Sequence, residues 1–298
     1  MKWLLIDLSY LTHRARYACN DLTHEDIPTG IIYSFFEQLY SICEKMRSNK
    51  VLVFTDSKKS YRLKAFSGYK KKRKEEKTKE EQEQLNIMYK QINKLKNKIL
   101  PKLGFPVYRQ TGLESDDLIA WAAKKFNSIK EEAVIITSDG DLLQCITPYV
   151  KWYDPSKELL MDEKSFERKY DIPPKEWDMV KALAGCSSDC VPGLKGIGEK
   201  GAIKYVRGEM ETHTKQFKMI SENHKEIVKW FKLVSLPHEK TKQFEIVEPE
   251  YNRKSFFSFC KHFGIMSYLE QPKKNKWIEF FKGEFKGQPR KAKRRKLL

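Results

Sequence analysis

Four short, largely apolar runs constrain this chain more than any other feature. They are Trp3-Leu4-Leu5-Ile6, Val51-Leu52-Val53-Phe54, Ala133-Val134-Ile135-Ile136, and the stretch from Val150 to Tyr153. Each is short for a helix and too continuous for a strand with one wet face. They read as strands buried on both sides, the first spanning Lys2 to Leu8. Between the first two, residues 29 to 46 carry Ile31, Ile32, Phe35, Phe36, Leu39 and Ile42 at helical spacing. Strands alternating with helices predict an α/β fold with a mostly parallel sheet flanked by helices.

Three of these runs lead into an aspartate: Asp7, Asp56 and Asp139. Sites in open α/β sheets form outside the carboxyl ends of the strands. One aspartate there is ordinary turn chemistry; three bring anions to a single edge. Glu114-Ser115-Asp116-Asp117 then opens a helix continued by Ala120, Trp121, Ala122, Ala123 and Phe126. One acid in a first turn complements the helix dipole, whereas three repel one another unless a cation neutralises them. Asp141 follows Asp139, and Asp189 closes Ser187-Ser188-Asp189.

Composition sharpens the point. The 298 residues include 58 Lys and Arg against 40 Asp and Glu, a formal charge of +18. A basic chain of this kind suits a nucleic-acid partner. So many acids at the strand breaks of so basic a chain imply bound cations. All-oxygen ligands select magnesium or manganese over zinc. Two such ions about 4 Å apart can clamp the attacking and leaving oxygens of a phosphodiester. The residues therefore point to metal-dependent phosphodiester hydrolysis on nucleic acid.

Other classes fall away. With 40% hydrophobic and 12% aromatic residues, the chain has ample material for a core and is not disordered throughout. No apolar run is long enough to span a membrane. The N-terminal apolar run is too short for a signal peptide and ends in an acid, so a cytoplasmic protein is expected. The six cysteines are scattered and form no disulfide framework, and no second pair joins Cys186 and Cys190 in a zinc set.

Two basic segments remain. Residues 57 to 100 read as a long, partly helical, solvent-facing excursion. It holds the run Lys70-Lys71-Lys72-Arg73-Lys74, with Tyr61, Phe66 and Tyr69 beside it, and a later stripe of Leu85, Ile87, Met88, Ile92, Leu95 and Ile99. Aromatics beside cations suit bases and phosphates. Val191 to Ala202 lies between helical segments at about 176–185 and 200–206. Its Gly196-Ile197-Gly198 permits a tight hairpin whose N–H groups, with the following helix N-terminus, can hold a phosphate. Such a helix-hairpin-helix grips DNA backbone without reading bases.

In this order the residues resemble a known family. Asp7, Asp56, Tyr69-Lys70 through Arg73, Glu114-Ser115-Asp116-Asp117, Thr137-Ser138-Asp139-Gly140-Asp141, Ser188-Asp189, Gly196-Ile197-Gly198 and Leu233-Val234-Ser235-Leu236-Pro237 are similar to the structure-specific 5′ nucleases. These are the flap endonucleases, the 5′-nuclease domain of bacterial DNA polymerase I, and the stand-alone bacteriophage exonuclease or RNase H proteins. The length is most like the phage type, whose setting is the host cytoplasm. The resemblance implies a PIN-like nuclease core over residues 1–175, with 57–100 as a helical arch. A helical domain carrying the hairpin would follow over 176–281, then a basic, disordered tail over 282–298. It implies 5′–3′ exonuclease and flap endonuclease activity at 5′ ends, flaps and nicks of duplex DNA, and removal of RNA from RNA–DNA hybrids.

The implied cofactors are two magnesium ions, replaceable by manganese, and a potassium ion at the hairpin. Carried over, Asp7, Asp56 and Glu114 would hold the first metal, and Asp116 would lie near both. Asp117, Asp139, Asp141 and Asp189 would serve the second. Lys70 and Arg73 would orient the scissile phosphate and stabilise charge in the transition state. Tyr69, Lys71, Lys72, Gly193, Lys195, Gly196, Ile197, Gly198 and Lys200 would contact DNA. A monomer is expected, with a sliding clamp or a single-strand-binding protein as partners. One departure stands out. The family's bacterial and phage pattern is Gly-Asp-x-x-Asp, but this chain has Gly185-Cys186-Ser187-Ser188-Asp189. A thiol is a poor magnesium ligand. Weaker binding of the second metal, or an altered flap-to-exonuclease balance, is expected with activity retained. The competing reading is a relative that binds branched DNA without cutting it. A PIN-type ribonuclease without flap preference fits less well, because the arch and hairpin suit a duplex with a free 5′ strand.

Phe256, Phe257, Phe263, Trp277, Phe280 and Phe281 are expected in the core of the helical domain. Trp277-x-x-Phe280-Phe281 has the alternative of serving as a clamp-binding peptide, without the usual glutamine at position 274, which is lysine.

Overall fold

The computed structural model describes residues 2–16, 22–71 and 78–285. Its centre is a six-stranded sheet in the order β5-β4-β1-β6-β7-β8. These strands are β1 (Trp3–Asp7), β4 (Val51–Phe54), β5 (Val107–Tyr108), β6 (Ala133–Ile136), β7 (Val150–Asp154) and β8 (Leu159–Met161), while β2 (Thr23–His24) and β3 (Ile27–Pro28) form a separate hairpin. The first five strands of the sheet run parallel; β8 closes one edge antiparallel to β7.

Alternate side chains of each central strand enter different cores, which explains the unbroken apolar runs. Leu4, Ile6, Val51, Val53, Val134 and Ile136 point to one face. Trp3, Leu5, Leu52, Phe54, Ala133 and Ile135 point to the other. The first face is covered by α1 (Leu8–Arg16), α2 (Gly30–Met46), α4 (Lys79–Lys94) and a π-helical turn, Leu95–Ile99, that joins α4 to the short α5 (Leu100–Lys102). Between β4 and α4 lies the short α3 (Tyr61–Ala65). The later part of the 57–100 excursion is thus core: Leu85, Met88, Ile92, Leu95 and Ile99 are all buried. A capping box starts α4, with Thr78 N donating to Glu81 Oε2 and Glu81 N to Thr78 Oγ1.

The second face carries α6 (Ser115–Ser128), α7 (Glu163–Tyr170), α8 (Trp177–Ala184), α9 (Glu199–Val206) and α10 (Lys215–Glu222); α11 (His224–Val234) sends Ile227 into the same cluster. The C-terminal helices, α12 (Arg253–His262) and α13 (Lys273–Lys282), lie elsewhere. Phe256, Trp277 and Phe280 are buried on the α2 face, with Trp277 5.9 Å from Phe36 between ring centroids. The expectation that these aromatics complete the hairpin-bearing helical domain is corrected: they seal the nuclease core from the opposite side. The clamp-peptide reading is corrected with it, because Trp277 and Phe280 are core side chains that no partner reaches while the chain is folded.

A strap links the two faces. Phe244 packs 4.1 Å from Trp121, Val247 N donates to Tyr108 Oη, and Glu250 N donates to Gly104 O. It covers the edge strand β5, which would otherwise expose unpaired backbone groups.

Candidate metal and nucleic-acid site

The carboxyl ends of β1, β4 and β6 and the first turn of α6 meet at one edge. Asp7 ends β1, where its Oδ1 accepts from Tyr10 N and its Oδ2 from Thr137 Oγ1 at 3.3 Å. Asp56, just beyond β4, accepts from Ser9 Oγ at 2.6 Å and Ser115 N at 2.9 Å. Asp139 leaves β6 and caps the 3₁₀ turn Gly140–Cys145 through Asp141 N at 2.8 Å. Asp116, in the first turn of α6, feels the charges of Asp139, Asp7 and Asp56. Ser9, Ser115 and Thr137 orient these carboxylates. None of the three was picked out by the sequence reading, although each lies within two residues of an acid.

The electrostatics show what is missing. Burial, then the charge of Asp56, pushes the Asp7 carboxyl up to about 7. Burial, followed by Asp139 and Asp7, raises Asp116 well above the ordinary carboxylate range. Burial, then Asp141, raises Asp139. Burial opposes ionisation of Asp56 too, but the hydrogen bonds from Ser115 and Ser9 outweigh it and hold that carboxyl down. Three carboxylates raised by burial and mutual repulsion make an all-oxygen donor set short of positive charge. That chemistry fits a hard divalent cation.

A second group lies beside the hairpin. One ligand atom each from Asp141, Cys186 and Asp189 falls within 4.8 Å of the others. Here the chain supplies its own neutralisation. Lys181 of α8 pairs with Asp141 Oδ1 at 3.0 Å, and Cys186 Sγ donates to Asp141 Oδ2 at 3.3 Å. Burial, then Asp141, pushes the Cys186 thiol up to about 12, so it is a protonated donor at neutral pH. Lys181 is a site residue that sequence reasoning missed. Its only signal was a lone cation on a mostly apolar helix four residues before Gly185.

Tyr69 and Lys70 join the two groups. Tyr69 Oη donates to Glu114 Oε2 at 2.9 Å and to Asp189 Oδ2 at 2.8 Å. Lys70 Nζ lies 2.7 Å from Glu114 Oε2 and 3.7 Å from Asp189 Oδ1. Lys70 adopts a left-handed backbone, φ 53°, fixed by its N–H donating to Asp189 O at 2.8 Å. Tyr69 is buried, which corrects its expected place as a DNA contact: the ring cannot meet a base, and its hydroxyl bridges two acids. Lys71 is exposed at the last described position before the gap, while Lys72 and Arg73 lie outside the described residues.

Asp117 also departs from expectation. It points away from its neighbour Asp116 and is wholly buried. Arg62 Nη1 and Nη2 each donate to it at 2.7 Å, and Glu114 N and His238 N donate as well. Burial would raise this carboxyl, but the Arg62 hydrogen bonds and charge hold it below its ordinary range. With both oxygens committed, Asp117 is corrected from metal ligand to a pin joining α6, α3 and the segment after α11.

The hairpin divides likewise. Lys195, Gly196, Gly198 and Lys200 are exposed. A Cβ on Gly196 or Gly198 would meet nothing within 4 Å, leaving open backbone ahead of α9. Gly193, φ 65°, and Ile197 face inward instead. A Cβ on Gly193 would come within 2.3 Å of Gly185 N, so only glycine fits there; the Ile197 side chain is buried and its N–H donates to Leu194 O, which corrects Ile197 as a DNA contact.

Known proteins resemble this chain in sequence and in fold. The N-terminal resolvase-like domain of 5′–3′ exonucleases matches residues 2–171. A 5′–3′ exonuclease of Buchnera aphidicola subsp. Schizaphis graminum is 29% identical over 259 residues, 86% of this chain and 83% of that protein. The thermostable DNA polymerase I of Thermus thermophilus is 32% identical over 231 residues, 76% of this chain but 26% of the polymerase. This chain thus spans about a quarter of that relative. The bacteriophage T5 flap endonuclease, solved as a pseudo-enzyme-product complex with DNA and metal ions, has a TM-score of 0.68 at 17% identity, covering 95% of this chain and 99% of that one. At that identity the likeness is one of fold. Fold and sequence matches together define an α/β nuclease, a hydrolase. The chain belongs to the 5′–3′ exonuclease family.

Proposed function

We propose that this chain hydrolyses phosphodiesters near 5′ ends and 5′ flaps of branched or nicked duplex DNA, using two divalent ions. The observation that carries the reading is the set Asp7, Asp56, Asp116 and Asp139: four carboxylates gathered at the strand ends, three of them resisting ionisation. With Glu114 they would hold one ion; Asp139, Asp141 and Asp189 would hold the other. Bound there, magnesium or manganese supplies the positive charge that activates an attacking water and neutralises the leaving oxygen. Cys186 contributes a hydrogen bond to Asp141 and no charge, so the second position binds its ion less tightly.

Lys70 neutralises Glu114 and Asp189 in the metal-free chain. With cations held by those carboxylates, its ammonium would be available to meet the scissile phosphate and stabilise charge developing there. Lys195, Gly196, Gly198 and Lys200 hold the duplex backbone, positioning without base readout. Removal of RNA primers belongs to the same proposal, since phosphate contacts carry no preference for the sugar they join.

The test is cleavage of a 5′-labelled flap duplex and of a 5′-RNA/DNA hybrid, with magnesium titrated and Asp139→Ala as control. Magnesium-dependent products that vanish in the control are expected. Tight binding without products, even with manganese, would instead make this a DNA-binding relative.

A further inference from the structure

Two tryptophans outside the catalytic reading meet the loop that joins the two acidic groups. Asp139 belongs to the strand-end group and Asp141 to the hairpin group, so Gly140 is the joint between them. Trp152, on β7, donates its indole N–H to Asp139 O at 3.0 Å. Trp177, which opens α8, donates its own to Gly140 O at 2.8 Å. Both side chains are buried. A buried indole usually finds some acceptor. Here two indoles from different elements take consecutive carbonyls, and those carbonyls lie between two acids.

A peptide group is planar. The bond to Asp139 O therefore fixes the plane running from Asp139 to Gly140, and the bond to Gly140 O fixes the plane from Gly140 to Asp141. Only the torsions of Gly140 remain between them, and glycine is the most permissive residue for such a joint. Beyond its chain neighbours, a Cβ at Gly140 would meet only Lys181 Nζ, at 3.9 Å. Inside the loop, Asp139 N donates to Thr137 Oγ1 at 3.2 Å and Asp141 N to Asp139 Oδ1 at 2.8 Å. Outside it, α8 reaches the loop twice. Lys181, one turn after Trp177, lies 3.0 Å from Asp141 Oδ1 and 5.6 Å from the Trp177 ring centre. Trp177 is backed in turn by Tyr170 and Phe166 of α7, with ring centres 4.5 and 5.5 Å away.

We infer that Trp152 and Trp177 are positioning residues for the two cations: by holding successive peptide planes they set the spacing of the Asp139 and Asp141 carboxylates. The inference rests on the nuclease reading above and names what fixes the distance between its two cation positions. Each indole N–H is spent on a carbonyl, so its action on the carboxylates runs through the backbone. Two ions that clamp one phosphodiester sit about 4 Å apart, so slack at Gly140 weakens the hold on both.

Trp152→Phe and Trp177→Phe keep an aromatic ring and remove the N–H. Trp3→Phe is the control: its indole donates to Glu131 Oε2 at 2.6 Å, at the start of β1 and so at the opposite end of the sheet from the acids. Each loop variant should raise the magnesium concentration for half-maximal cleavage about tenfold, the scale of losing a partner behind a metal ligand. KM for DNA should not change. Trp3→Phe should lower the melting temperature and leave the magnesium requirement as in wild type. Calorimetric titration of manganese into the DNA-free chain reads the same loss without catalysis, with affinity about tenfold weaker in the two loop variants and unchanged in Trp3→Phe. Loop variants that lose thermal stability yet bind manganese as wild type does would reduce the indoles to core filling and overturn the proposal. So would a loss of affinity equal to that of Trp3→Phe. A wild-type chain that takes up no manganese overturns the nuclease reading and this one with it, whereas wild-type uptake with unchanged variants overturns this proposal alone. Where a variant does not fold, the unmutated chain decides. The indole N–H resonances of Trp152 and Trp177 should shift as magnesium is added while that of Trp3 stays in place; no shift at Trp152 or Trp177 overturns the positioning role.

Discussion

At the strand ends, Asp7, Asp116 and Asp139 resist ionisation; Asp7 accepts from a hydroxyl and a backbone N–H, and Asp139 from a backbone N–H. Beside the hairpin, Asp141 has Lys181 and a thiol, and Asp189 has Lys70 and a phenol. The two acidic regions border one another yet differ in who supplies the positive charge. The hairpin group keeps the chain's own cations in direct contact, although burial still raises Asp189 against Lys70 and Tyr69. The strand-end group feels Lys70 through its charge alone, and burial outweighs it at Asp116 and Asp139. A site that must bind metal strongly cannot also be neutralised internally, because the internal cation would compete.

Removing a carboxylate from the strand-end group should have the largest effect and the more unusual sign. Asp116→Asn should lower cleavage by on the order of 10³, the scale of losing a group that stabilises transition-state charge. It should also raise the melting temperature of the metal-free protein, since one repelling anion is gone. A melting temperature that falls would show that this group is as self-balanced as its neighbour.

The next effect belongs to the pin between the two. Arg62→Ala leaves Asp117 buried without its partner, and unfolding titration should show a loss of about 3–5 kcal/mol. By contrast, Asp117→Asn should leave the magnesium concentration for half-maximal cleavage unchanged. A several-fold rise in that concentration would return Asp117 to the metal set.

A smaller effect would sharpen the contrast from the hairpin side. Cys186→Asp adds an anion where Lys181 already sits. Magnesium should then be bound about tenfold more tightly at limiting concentration, a scale typical of changes around a metal ligand. Equal activity of this variant and wild type throughout the titration would mean that the thiol costs the second position nothing.

Much of this arrangement was legible in the sequence. Buried parallel strands have to be apolar on both faces, so four runs announced the sheet. Asp7, Asp56 and Asp139 then fell at one edge by topology alone. The rest depended on rotations and partners that no local pattern encodes. Asp116 and Asp117 differ by about 100° around one helix, and only Arg62, 55 residues away, shows which turns inward. Tyr69 looked like a base-stacking ring because it sits in a cationic run, yet two acids from distant loops claim its hydroxyl. The C-terminal aromatics mark a core without saying which one, since α12 and α13 reach the α2 face only after the strap crosses β5. Edge strands of two and three residues, β5 and β8, are too short to carry a periodic signal.

The smallest effect concerns pH and tests the electrostatic premise itself. In the folded, metal-free chain burial pushes the Asp7 carboxyl up to about 7 from its ordinary 3.8. Raising the pH between those values ionises the unfolded chain first, so the folded state loses stability across that window and levels off above it. The carboxylates titrate together, so the loss between pH 5 and 7.5 belongs to the group rather than to Asp7 alone. Asp117 contributes the opposite slope only below about pH 4, where the unfolded carboxyl takes up a proton first while the folded one, held by Arg62, stays ionised. Melting in EDTA should therefore show a temperature that declines from pH 5 to 7.5. Magnesium should restore more of it at pH 7.5 than at pH 5, because protons and metal compete for the same oxygens. In Asp7→Asn the decline should be shallower. A wild-type curve that is flat in EDTA, or a magnesium effect equal at both pH values, would mean that the strand-end carboxylates are already balanced from within, and the contrast between the two regions would be lost.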